Sequence, residues 1–103
     1  MVYKLIIPEH TAHQIDQSIG YIVETLKNPS AAQAVMEDIE YAYNQLKKTA
    51  ASFAFCEDPY LRAKGYRKLV LQHHDYILIY RVEKETVYLA GFFHTLENYI
   101  VKL

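Results

Sequence analysis

Three β-patterned segments in succession, residues 66–72, 76–82 and 86–93, constrain the fold of this chain more than any other feature. Each alternates sides and is rich in Tyr, Val, Ile, Leu or Phe, the pattern of half-buried strands. The breaks between them, His73-His74-Asp75 and Glu83-Lys84-Glu85, are short and polar. Short connections require neighbouring strands to pair antiparallel, so the segments predict a meander. Because side chains alternate with a period of two, Arg67, Leu69 and Leu71 share one face of the first strand. Ile77, Ile79 and Arg81 share one face of the second. A three-residue loop at 73–75 sets Arg67 opposite Arg81, a pairing that repels unless an anion sits between them. A two-residue loop shifts the register by one and parts the arginines onto opposite faces, where each is an ordinary solvated strand-end cation.

The amino-terminal half carries a different period. Residues 2–7 form a short apolar strand candidate, after which Ile15, Ile19, Ile22 and Leu26 recur at helical spacing. Asn28-Pro29-Ser30 breaks that helix, since proline disfavours the α conformation at Asn28, and Ser30 is positioned to cap a new start. Val35, Ile39, Ala42 and Leu46 then mark a second amphipathic helix running to about Ala51. Residues 52–61, with Phe53, Phe55, Pro59 and Tyr60, are the one long irregular piece. The predicted order is β-α-α-β-β-β with a short carboxy-terminal tail from Thr95, an α+β fold in which a helical hairpin covers one face of an antiparallel sheet.

At 103 residues the chain is read as one domain, 1–103, able to bury roughly 60–70% of its unfolded surface. With 51% hydrophobic and 22% charged residues it is globular, and no apolar run approaches the ~20 residues of a membrane span. The chain opens directly into the 2–7 run without a signal-peptide pattern, and Cys56 is its only cysteine. Both point to the cytoplasm and exclude an internal disulfide. No cofactor or metal is expected: neither His10 with His13 nor His73-His74-Asp75 makes a zinc site by itself. A net charge of −1 lacks the basic excess usual in nucleic-acid binders, yet Arg62, Lys64, Arg67 and Lys68 form a local basic cluster. The ten tyrosines fit strand positions with a buried ring and a hydroxyl at the rim, with base stacking as the alternative.

The element order, with Gly65-Tyr66-Arg67-Lys68-Leu69, then Asp75-Tyr76-Ile77-Leu78-Ile79-Tyr80-Arg81-Val82, then a last strand ending in His94 with Tyr99 behind it, resembles the RelE/ParE superfamily of toxin-antitoxin toxins. The resemblance covers almost the whole chain. It implies a small bacterial toxin neutralised by a cognate antitoxin, acting as a ribosome-dependent mRNA endoribonuclease or as a DNA gyrase inhibitor. It also implies sites: Arg67 and Lys68 resemble the basic pair of the first meander strand, His94 the closing histidine, and Tyr99 the tyrosine that follows. Ribonucleolytic relatives carry arginine directly after the aromatic residue opening the central strand, where this chain has Ile77. The segment Thr95-Leu96-Glu97-Asn98 also lacks the arginines many relatives show.

Cleavage by a 2′-hydroxyl requires a base, a cation for the charged transition state and an acid for the leaving oxygen. Arg67 and Arg81 supply candidate cations, His94 the proton carrier and Tyr99 an assisting group. Arg62, Lys64 and Lys68 are the candidate RNA contacts. The reading from the residues leans to a ribonuclease acting on ribosome-bound mRNA. Gyrase inhibition, or a catalytically inactive toxin-fold binding protein, is the alternative.

Overall fold

The computed structural model describes residues 2–103. Strand β1 (Lys4–Ile6) is followed by helix α1 (Glu9–Gly20), which runs on into five residues of π-helix, Tyr21–Thr25. Helix α2 (Pro29–Thr49) and a short turn lead to helix α3 (Pro59–Ala63). Strands β2 (Tyr66–Val70), β3 (Tyr76–Glu83) and β4 (Thr86–His94) form the meander, and a 3-10 turn at Tyr99–Lys102 ends the chain. The fold is α+β in the expected order, with a single sheet ordered β1-β4-β3-β2. One feature departs from a purely antiparallel sheet: β1 pairs in parallel with β4, Lys4 beside Thr86.

Local chemistry accounts for the boundaries. Asn28, rather than Ser30, caps α2: its side-chain oxygen accepts from the Ala31 N–H at 3.1 Å, and Pro29 sits at the first helical position. Asp58 does the same for α3, accepting from Leu61 N–H at 3.0 Å ahead of Pro59. Gly65, at φ 81°, supplies the left-handed residue that turns α3 into β2. Leu26, expected on the buried stripe, is 55% exposed, because the π-helical turn rotates it out of the α1 face.

The helices cover one face of the sheet. Val35, Ile39, Ala42 and Leu46 of α2 pack with Ile22 against Leu69, Leu71, Leu78, Tyr80, Val87, Leu89 and Phe92. Each such aliphatic side chain contributes about 1.5–3 kcal/mol relative to exposure. The other face is closed as well: Ile77, Ile79 and Phe93 bury against Cys56 and Leu61, with Tyr66, Tyr99 and Leu103 around them. The outer edge of β2 is also occupied, since Cys56 N–H donates to Tyr66 O and Lys68 N–H to Ala54 O. A sheet covered on one side only would have left that face and edge free.

The meander register settles the arginine question. Arg67 pairs with Tyr80 and Tyr66 with Arg81. Leu71 N–H donates to Tyr76 O, so the loop takes four residues, 72–75, and Arg67 and Arg81 lie on opposite faces. The anion site conditional on their facing each other does not form.

Candidate functional site

Arg67 leaves β2 on the helical side of the sheet. Its Nη1 donates to the Phe53 carbonyl at 2.6 Å, and the guanidinium lies 3.9 Å over the Phe55 ring. Phe55 is held in place by a bridge to the Arg67 backbone. Arg62 approaches the same ring at 5.9 Å, and the Lys64 ammonium sits 4.6 Å over Tyr60. Lys68 falls on the other side of β2, where its charge opposes the burial that pushes the Cys56 thiol up. Cys56 itself is 1% exposed and out of reach of an intermolecular bridge.

Arg81 belongs to the second face. It pairs with Glu83 at 3.1 Å and lies 4.9 Å over Tyr88. Tyr99 packs there too, its ring stacked on Phe93 at 5.8 Å.

His94 closes β4 opposite Tyr76, edge-on to that ring at 5.4 Å. The Leu96 N–H donates to His94 Nδ1 at 3.1 Å, so in the neutral ring the proton is on Nε2 and the only lone pair is already in use. His94 lines a cleft of about 440 Å³ with Gln14, Gln17, Ser18, Tyr21, Tyr76, Glu97 and Lys102. Burial, reinforced by the nearby Glu97 carboxylate, raises the Tyr76 phenol. Hydrogen bonds from Lys102 and from His94 N–H hold the Glu97 carboxyl below its ordinary range, against a smaller opposing effect of burial.

The candidate catalytic groups therefore do not converge. Four residues along β3 and two strand spacings separate Arg67 from His94, roughly 16 Å between backbones. Arg81 and Tyr99 face away from both. Among the described residues no group of three His, Cys, Asp or Glu side chains is placed to hold a metal ion.

Two arrangements were not anticipated from the residues. His73 and His74, which make no zinc site by themselves, hold Asp38 of α2: the His73 N–H and His74 Nδ1 each lie 3.0 Å from Asp38 Oδ2. Burial pushes this carboxyl up, but the His74 and His73 hydrogen bonds and nearby charge outweigh it and leave its pKa lowered. The second is the role of Phe55 as a platform for two arginines. Its signal, an exposed aromatic just ahead of the basic cluster, was present in the irregular segment.

A helical hairpin covers a four-stranded sheet whose edge strand, β2, carries Arg67 and Lys68. The family model for the ParE toxin of the type II toxin-antitoxin system parDE matches residues 6–99, and the chain belongs to that family. Its fold is similar to that in a solved structure of the chromosomal ParDE toxin-antitoxin system from P. aeruginosa. The two are 21% identical, with 90% of this chain and 96% of that chain covered and a TM-score of 0.72. No curated protein matches by sequence. Membership of a type II system makes an antitoxin the partner of this chain. No helix among the described residues is long and apolar enough to cross a membrane.

Proposed function

We propose that this ParE toxin arrests growth by binding a protein target rather than by cutting RNA, and that the target is DNA gyrase. One observation carries the reading: Arg67, Arg81, His94 and Tyr99 are dispersed over both faces of the sheet, with the backbones of Arg67 and His94 roughly 16 Å apart and the Arg67 guanidinium turned onto Phe53 and Phe55. General acid-base catalysis needs its groups within hydrogen-bond reach of one phosphate. Further support comes from His94, whose Nδ1 is occupied by Leu96 N–H and so is no ready proton acceptor, and from Ile77 standing where ribonucleolytic relatives have arginine. Residues 1–103 act as one domain, in the cytoplasm, where antitoxin and target meet it.

The test sets gyrase supercoiling beside cleavage of messenger RNA on translating ribosomes, using the purified chain. Supercoiling should be blocked and the RNA should remain intact. Cleavage that depends on His94 and Arg67, with supercoiling unaffected, would reverse the assignment to the ribonuclease.

A further inference from the structure

We infer that the Phe55 platform is a docking surface for an acidic segment of a protein partner. This goes beyond the gyrase reading and does not depend on it. Phe55 is 38% and Tyr60 52% exposed, large aromatic rings of the kind that anchor interfaces. Three cations crowd them: Arg67 at 3.9 Å and Arg62 at 5.9 Å from the Phe55 ring, Lys64 at 4.6 Å from Tyr60. Among the described residues none of the three is in an ion pair, whereas Arg81 and Lys102 each have a carboxylate partner. The two nearest acids in sequence, Glu57 and Asp58, offset these three cations only in part. Among the described residues neither Asp58, which accepts from the Leu61 N–H, nor the exposed Glu57 forms an ion pair with any of the three.

Three cations against two carboxylates leave a local positive excess in a chain whose net charge is −1. Arg67 gives one N–H to Phe53 and keeps four donors. A guanidinium stacked on a ring is fixed in orientation with its N–H edge still open, the geometry that receives a carboxylate fork. Two facts favour acidic protein over nucleic acid. Cations already lie over both rings, which leaves less ring face for stacking bases. The whole molecule, moreover, carries no excess positive charge to attract a polyphosphate.

The experiment measures binding of the full chain to a fluorescent peptide of consecutive glutamates and to an oligothymidylate of equal length, at low and moderate salt. The peptide should bind with an affinity that falls as salt rises. Double substitution Arg62→Glu with Lys64→Glu, both exposed, should weaken it by about tenfold or more, since like charges then face each other. The same charge change at the exposed Lys47 and Lys48 of α2 should leave it intact. Circular dichroism checks that both variants fold. Absence of peptide binding, equal loss in the two variants, or tighter binding of the oligothymidylate would each overturn the inference. Gyrase is absent from the assay, so its outcome is independent of the proposed target.

Discussion

The ring of Tyr99 stacks on Phe93 across the face of the sheet that His94 does not share. A packing role and a chemical role then diverge under substitution. Tyr99→Phe should leave growth arrest and stability unchanged, while Tyr99→Ala should lower unfolding free energy by about 1–2 kcal/mol through lost stacking and burial, measured by urea titration. A tyrosine acting through its hydroxyl would show the reverse order. Asp38 makes a second residue-level prediction. Its lowered folded-state pKa means that its contribution is fully present above the unfolded carboxylate value, about 3.9, and is lost as pH falls through the folded value. Asp38→Asn should cost about 1–2 kcal/mol at neutral pH, and its unfolding curve should approach that of the parent as the pH drops below about 4. This contact was not legible in advance. Spacing shows a histidine pair in a loop, but only the packed fold shows that a helix carboxylate 35 residues earlier reaches it.

At the level of elements, β4 departs from a regular strand between its pairings with Ile79 and Tyr80, where the partner changes from Gly91 to Leu89 and Ala90 is left over. Helix α1 is fastened to this bulge: Thr11 donates to Leu89 O at 2.8 Å, His10 Nε2 lies 2.9 Å from Ala90 O, and Phe92 N–H donates to Gln14 Oε1 at 2.9 Å. A side chain at Gly91 would run into the Phe93 ring and come within 3.4 Å of Gln14 Oε1. Because Phe93 is only 2% exposed, that ring has little room to retreat. Gly91→Ala should therefore destabilise by about 1–3 kcal/mol, read as a fall in melting temperature. Alternation of apolar residues was enough to place β2, β3 and β4, because a half-buried strand writes its period into the sequence. The bulge and the four-residue loop leave no comparable mark. A single added loop residue, Gln72, was enough to send Arg67 and Arg81 to different faces.

Considered as a whole, the molecule encloses its sheet between two unequal layers, and the larger depends on α2. Ile39 is 5% exposed within it. Ile39→Asp would bury an unpaired carboxylate at a cost of several kcal/mol, comparable to the margin of a small domain, and should abolish cooperative unfolding. The resemblance picks out candidate residues by type and position and carries no geometry: whether arginine, histidine and tyrosine meet depends on register and on the thickness of the sheet. The β1–β4 pairing has a further consequence, for biosynthesis. Lys4 pairs beside Thr86, and Leu103 helps to close the face opposite the helices. Contacts that join the two ends of a chain form only after nearly all of it has been made. A growing chain that still lacks its last strand has neither sheet closure nor a complete lower layer. Strand β1 thus finds its pairing partner only once β4 has been made, so a growing chain that stops short of Thr86 cannot complete the sheet.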